Sequence, residues 1–562
     1  MAVTDSYSRH YHDLTKYAID RLGGGALDWS TQPEPFKTIV TKRKIELSPY
    51  LPFATNDFNP KLESGKHDDA AVGEIGPARL SRLLYFTNGV TKIMHMHLGV
   101  KVMKFLMRAS PSAGGLYPTE IYVAIRNNRH FESGIYNYQV RDHSIIPLWD
   151  GDHWKSFERY CFGHAALAES SLTLLFSILP FRSSWRYKER GYRRCLLDTG
   201  HVLGNLVAYG HREGFAPALV GGFWDSAFNG HLFFDDNEEV LLAAIAMPLM
   251  AGAPPLEPAT ASAGAATGAA PVQTAVTPKL SAPALRSPPR ELPDLASVPV
   301  DQISLHLHRL SCIEGPLDPT MAADLVPPAI VPVSAATPAA AAEPVSLESP
   351  RDQSAWKHDL GRTILLRRST RSYSGAPIPK TQLAALLAYG YSHFPAALTA
   401  SSAVPAADFT APGIDRGQPG SHGKLFAPEI LDSYLIAIQV PGLPSGAYRY
   451  DPLGQRALPI KEGDFKRPVH HFCLEQELGR DAAAILIHAA DLTRAVERYG
   501  ERAYRYLHLD SGHIGQRLNL AAIAMNLGAS GIGGFFDDEV NDLLNLPKNH
   551  IITYITTLGV PA

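Results

Sequence analysis

The chain is poor in cysteine: Cys161, Cys195, Cys312 and Cys473 are the only four in 562 residues, and no two form a C-x-x-C pair. This argues against a disulfide scaffold and a cysteine-based zinc site, and a reducing cytoplasm is the expected compartment. Neither sign of charge dominates, with 52 basic against 55 acidic residues and a net charge of −3. A dedicated nucleic-acid binder would carry a basic excess. No apolar run approaches the ~18 uninterrupted residues of a membrane-spanning helix. The opening residues, MAVTDSYSRHYHDLTKY, lack the charged-then-apolar order of a secretory signal. His95-Met96-His97 has no third ligand at a metal-site spacing, so no metal is expected. Aromatics vanish altogether between Phe234 and Trp356.

That aromatic-free stretch is also where proline and alanine concentrate: residues 251–350 hold 18 of the 44 prolines, with 22 alanines. Such a composition buries too little apolar surface to offset its ordering entropy, so an extended linker is expected there. Within it, Asp301 to Cys312 alternates apolar and polar residues. It reads as a short docked strand or as part of an unstructured tether. Elsewhere the chain has ample apolar content, 45% overall. A single core rarely exceeds about 250–300 residues, so two domains are expected.

The two flanks repeat one another. SGIYNY from Ser133 matches SGAYRY from Ser445, and GGFWD from Gly221 matches GGFFD from Gly533. RYKERGYRRCLLDTGHVLGNL from Arg186 matches RYGERAYRYLHLDSGHIGQRL from Arg498, and all three pairs share one offset of 312 residues. A duplicated domain follows, with residues 1–250 as the first copy, 251–350 as the linker and 351–562 as the second copy. Glu120–Arg126 and Tyr434–Val440 read as apolar strands, and Ile135–Tyr138 and Ala447–Tyr450 as hairpin strands. Leu196–Tyr209 and Leu507–Met525 have helical spacing. Each copy is therefore expected to be α+β, an antiparallel-rich sheet flanked by helices.

Three segments invite chemistry. Arg108 to Glu120, RASPSAGGLYPTE, places small residues between prolines, so that backbone amides can approach a flat or anionic ligand; an ordinary turn would look the same. Arg367 to Tyr373, RRSTRSY, offers three arginines and two hydroxyl neighbours as a phosphate clamp, or a solvated helix end. Gly531 to Phe535, partly matched at Gly221, reads as a cap and turn or as a strand passing beneath a ring, with Gly533 and Gly534 at the close approach.

Together these segments resemble the SagB/ThcOx-type flavin dehydrogenases of the nitroreductase superfamily. The loop Pro111, Ser112, Ala113, Gly114, Gly115 with the preceding Arg108 resembles their flavin-ring loop, and RRSTR resembles their phosphate-binding opening. The resemblance implies an FMN cofactor, with Arg368, Ser369 and Arg371 on its phosphate. It also implies a dimer with the flavin at the subunit boundary, here folded into one chain as an intrachain pseudo-dimer of two nitroreductase-like domains. Relatives of this type oxidise azolines to azoles in peptide natural products. A peptide-derived or small-molecule substrate and partner biosynthetic enzymes are expected, with no nucleic acid and no membrane.

Two departures matter. RRSTR occurs only in the second copy and PSAGGLYP only in the first, where the second has PGSHGKLFAP with His422 and Lys424. One complete composite site, and one FMN per chain, are therefore expected. Azole-forming relatives carry Lys-Tyr where this chain has Arg186-Tyr187 and Arg498-Tyr499. A tyrosine serves as base if a neighbouring cation lowers its pKa, and arginine supplies such a cation. Tyr187, Arg186, Lys188 and Tyr499 are thus the catalytic candidates, while His201 and His513 are expected to be structural. Two alternatives stay open: an NAD(P)H-dependent nitro or quinone reductase, and a flavin-free scaffold that binds a peptide or partner enzyme.

Overall fold

The structure is a computed structural model that describes residues 6–21, 27–53, 75–98, 101–250, 282–293, 297–315, 325–327, 343–350, 354–391 and 425–562. Two seven-stranded sheets dominate it. The first is built from β1 (Ile45–Glu46), β4 (Thr119–Ile125), β5 (Gly134–Gln139), β6 (Ser144–Asp150), β7 (Leu172–Ile178), β8 (Ala218–Val220) and β9 (Val240–Ala246). A separate two-stranded hairpin pairs β2 (Val90–Leu98) with β3 (Lys101–Arg108). The second sheet is built from β10 (Val345–Ser346), β11 (Asp432–Ala437), β12 (Gly446–Asp451), β13 (Arg456–Glu462), β14 (Ala484–Asp491), β15 (Gly528–Ile532) and β16 (His550–Gly559). Strand orders are β1-β6-β5-β4-β7-β9-β8 and β10-β13-β12-β11-β14-β16-β15, the same topology twice. Every pairing in both sheets is antiparallel. The expected pair of α+β domains is what the chain forms.

Strand alternation sends side chains to two cores. Ile121, Val123 and Ile125 of β4 join the large central core with Leu196 and Leu203. Tyr122 and Ala124 face an outer layer with Trp154, Phe157 and Phe228. In the second sheet Leu435 and Ala437 point to the central core, and Tyr434 and Ile436 to an outer layer with Phe465 and Phe472. The central core is shared by both halves because their long helices, Gly191–Arg212 and Ala503–Ala524, pack together. A Cβ on Gly200 would overlap the Leu509 carbonyl, and one on Gly512 would overlap that of Leu197. Each contact is the other shifted by 312 residues, which is the reciprocity of a two-fold interface.

The stretch assigned to a linker is not extended throughout. Asp301–Cys312, read as a docked strand or as part of a tether, is neither: Ile303–Leu310 form a helix. Ile303 and Leu307 are spaced one turn apart and both are buried; this i, i+4 pair overrides the period-two pattern. The helix mirrors Tyr7–Thr15, the first helix of the chain. Arg190 bonds the Thr15 carbonyl and Arg193 the Thr15 hydroxyl, and both pair with Asp537 at 2.8 Å. Likewise Arg502 bonds the Ser311 carbonyl and Arg505 the Ser311 hydroxyl, and they pair with Asp225 at 2.7 and 2.8 Å. Strand β10 also lies within the presumed linker and joins the second sheet as β1 joins the first. The Arg–Asp pairs join one half to the other, and all six side chains are buried. No helix among the described residues is long and apolar enough to cross a membrane. All four cysteines are free and buried.

Candidate functional site

Between the halves lies a cavity of about 320 Å³. Its walls from the first half are Pro111 to Gly114, Tyr187, Arg194, Leu197, Asp198 and His201, with Tyr17. The second half contributes Ser369, Arg371, Leu474, Gln476, Ser530 to Gly534 and Tyr554. The small-residue loop and the hydroxyl–arginine segment of opposite copies thus meet in one place.

The loop is held by a carboxylate. Ser112 Oγ donates to Asp198 Oδ2 at 2.5 Å, and the Ala113 amide reaches the same carboxylate at 3.2 Å. Burial outweighs these bonds and raises the Asp198 pKa to about 7. Gly114 takes a left-handed φ of +66°, and a Cβ there would come within 3.0 Å of the Tyr187 hydroxyl. Only glycine adopts that backbone freely, so it brings the loop up to Tyr187. Arg108 does not line the cavity. It braces the loop from behind, stacked between Phe36 and Tyr117 and bonded to the Pro35 carbonyl at 2.5 Å. From the other half, Arg367 donates to the Ala109 carbonyl at 2.6 Å and the Arg108 carbonyl at 3.1 Å.

The remaining expected residues divide. Ser369, Arg371, Gly533 and Gly534 face the cavity. Arg368 is not among the lining residues; it donates to the Thr91 carbonyl at 2.9 Å and leaves its Nε without a partner. Gly115 and the exposed Lys188 are outside the lining as well. Arg186 is exposed beside the loop, its Cδ 3.4 Å from a Cβ position on Gly114. Tyr187 lines the cavity, but its expected acidity is not found. Burial raises its pKa more than Arg194 and Arg186 lower it, so the group is a phenol. His201, expected to be structural, faces the cavity with Nδ1 on the Leu197 carbonyl and Nε2 3.2 Å from the Tyr554 hydroxyl. Burial lowers its pKa to about 4, leaving Nε2 to accept from the phenol. The sequence patterns do not single out Arg194, Asp198, Gln476 or Tyr554, which also line the cavity. A comparison of the copies could have marked Arg194, which stands opposite Tyr506 within otherwise matched segments.

The related cradle in the other half is filled by the chain itself. Asp510 accepts from the Phe426 and Ala427 amides at 2.8 Å, as Asp198 does in the cavity, and burial again raises its pKa to about 7. Here, however, Phe426 stacks on Tyr506 with ring centres 5.6 Å apart. A Cβ on Gly222 would overlap Leu285, and one on Gly221 would meet Phe426 and Tyr506. Leu285 belongs to the presumed linker, and its backbone carbonyl accepts from the Tyr506 hydroxyl at 2.9 Å. Tyr499, a catalytic candidate, gives its hydroxyl to Glu429, which also pairs with Arg498 at 2.9 Å. Tyr499 is therefore a structural residue of the filled cradle. His422 and Lys424 lie outside the described residues. Among the described residues no group of three or more His, Cys, Asp or Glu side chains could hold a metal ion.

Comparison with known proteins agrees with this architecture. The crystal structure of a protein of Anabaena variabilis, described as a nitroreductase, superposes with a TM-score of 0.77 and 34% identity, covering 99% of this chain and all of that one. A Methanocaldococcus jannaschii protein named as a nitroreductase is 28% identical over 187 residues, 33% of this chain and 83% of its own length. The microcin B17-processing protein McbC of Escherichia coli is 25% identical over 124 residues, 21% of this chain and less than half, 46%, of that protein. The nitroreductase family model matches twice, over residues 79–247 and 364–560, and the chain belongs to the nitroreductase family.

Proposed function

We propose that the chain is an FMN-dependent oxidoreductase with one reaction site, the cavity between its halves, acting on a heterocycle or C–N unit of a peptide-derived substrate. The observation that carries this reading is the composite wall. Small residues from Pro111 to Gly114 face Ser369 and Arg371 across a space within the range of ligand pockets, roughly 300–1,000 Å³. The donor set suits a flat cofactor with a phosphate. Ser369 and Arg371 offer a hydroxyl and a guanidinium, and the glycines from Gly531 to Gly534 leave room beside them. FMN, when bound, supplies a two-electron acceptor. The chain's own residues position and solvate the reactants. The Tyr187 phenol is a hydrogen-bond donor to whatever lies against the loop. His201 holds Tyr554 in place, and Asp198 fixes the loop backbone. The similarity to McbC supports the peptide-derived substrate class.

The test is the visible spectrum and flavin content of the purified protein. One FMN per chain is expected, and Arg371→Ala with Ser369→Ala should yield folded, colourless protein. A flavin-free parent, or two flavins per chain, would overturn the reading. A second reading, NAD(P)H-driven reduction of nitro compounds or quinones, is favoured by the whole-chain similarity to a protein described as a nitroreductase. Consumption of NAD(P)H by the pure protein separates the two. In place of a division into 1–250, 251–350 and 351–562, the second half is assigned to start near residue 297, because the helix Ile303–Leu310 and β10 take the places that Tyr7–Thr15 and β1 hold in the first half.

A further inference from the structure

Arg194 is a buried cation without an acceptor. It is 8% exposed, and among the described residues it has no hydrogen bond or ion pair and its Nε is unpartnered. Other buried arginines of the two halves are engaged. Arg190 and Arg193 pair with Asp537, Arg182 with Glu120, Arg502 and Arg505 with Asp225, and Arg367 bonds two carbonyls. The carboxyl on its own helix, Asp198, feels the charge of Arg194 but makes its hydrogen bonds to Ser112 and Ala113 instead. What Arg194 does touch is the Tyr187 ring, 4.7 Å from the guanidinium carbon, and the space over Gly533 that any side chain there would block. The glycine therefore lets a guanidinium of the first half lie against the second half, inside the cavity wall.

Burying a charge without a counter-charge is unfavourable, and stacking on one ring offsets only part of it. The filled cradle offers a comparison. The position equivalent to Arg194 there is Tyr506, a neutral group whose hydroxyl bonds the Leu285 backbone. Where the chain supplies its own occupant the residue is neutral, and where the cavity is open it is cationic.

We infer that Arg194 binds an anionic oxygen, a carboxylate or its equivalent, on the ligand that enters the cavity. This anion is distinct from the phosphate that Ser369 and Arg371 would take. The inference rests on the cavity being the reaction site, as proposed above.

Isothermal titration calorimetry on the protein as purified, with benzoate as probe and benzamide as its neutral counterpart, tests it. Benzoate should bind the parent and bind Arg194→Gln at least about tenfold more weakly, as expected for loss of a charge-assisted bond. Benzamide should not distinguish the two, and Arg194→Lys should restore part of the benzoate affinity. Arg194→Tyr, the residue the other half uses, serves if the glutamine variant does not fold. Equal benzoate affinity in parent and variant, or none in the parent at millimolar concentration, overturns the inference. So does loss of flavin from Arg194→Gln to the extent seen in the Ser369→Ala, Arg371→Ala double variant, because Arg194 would then serve the cofactor phosphate. Calorimetry reads the anion whether or not flavin is present, so a flavin-free protein would sink the functional proposal while leaving this one standing.

Discussion

Glu189 Oε2 accepts the backbone N–H of Ser304 at 2.7 Å. In the mirrored position Glu501 Oε2 accepts that of Ser8, also at 2.7 Å. A carboxylate at a helix start satisfies amides that the helix leaves free. Two short helices far apart in sequence are thereby seated alike between the halves.

Their seats depend on shared carboxylates. Asp225→Ala leaves Arg502 and Arg505 buried without a counter-charge, and removing one partner of a buried pair costs about 3–5 kcal/mol. Chemical denaturation should show that loss, and Asp225→Glu should recover little because both arginines are already fitted to the shorter side chain. Unchanged stability in the alanine variant would mean that the network contributes nothing.

The helix crossing is equally testable. Gly200→Leu and Gly512→Leu place a side chain into the backbone of the facing helix, and overpacking of this kind costs typically 1–3 kcal/mol, occasionally more. Both should lower the thermal midpoint alike, whereas Gly214→Ala, with open space for a Cβ but at a φ of +81°, should report only backbone strain.

Stability should fall on the acid side, beginning near pH 6.5. Burial holds His201 at about 4, His143, His488 and His508 at about 3, and His12 and His308 well below the ordinary 6.5. The unfolded chain takes up these protons first, so their contribution is full above pH 6.5 and lost as pH falls. Asp198 and Asp510, raised from 3.8 to about 7 by burial, act in the opposite sense. Their contribution is full below 3.8 and lost as pH rises through 7. Six imidazoles outweigh two carboxyls between those limits, so stability rises with pH. Asp198→Asn removes one opposing group and should steepen the acid-side slope by up to about 1.4 kcal/mol per pH unit. A slope that stays the same or flattens would contradict the assignment.

Leu285→Ala opens space against Gly222. A buried leucine truncation costs about 2–5 kcal/mol, so the variant should melt earlier. Flavin content should remain one per chain, because Phe426 and Tyr506 still fill the cradle. A rise toward two would show that Leu285 alone keeps a cofactor out.

The halves should also outlast their connection. With a protease site introduced in residues 262–270 and cut, both fragments are expected to co-elute at micromolar concentration. Fragments that separate would contradict a shared central core.

Much of the duplication is legible in sequence because a constant offset survives wherever the same contacts are made twice. Glu189 and Glu501, Arg190 and Arg502, and Arg193 and Arg505 match for that reason. The helix Ile303–Leu310 escapes notice because only three of its eight residues, Ile303, Leu307 and His308, need be buried, and the surrounding prolines and alanines dominate any composition window. Arg194 is equally hard to see. In the run from Arg190 to Arg194 composition does not separate the guanidiniums, and only the pairing of the copies, with Tyr506 opposite Arg194, sets it apart from Arg190 and Arg193. Asp198 is repeated as Asp510, but its partner Ser112 comes from a loop remote in the chain, and Tyr554 bears no local motif.

The filling of one cradle by Leu285 has a consequence for how such a protein changes over generations. In a dimer of identical chains each substitution is made twice, so no site can be given up without losing both. Joining the copies removes that constraint. One half can exchange a guanidinium for a phenol and close over a leucine from the connecting segment, while its twin keeps an open chamber. The closed half then persists as the wall against which the open one is shaped.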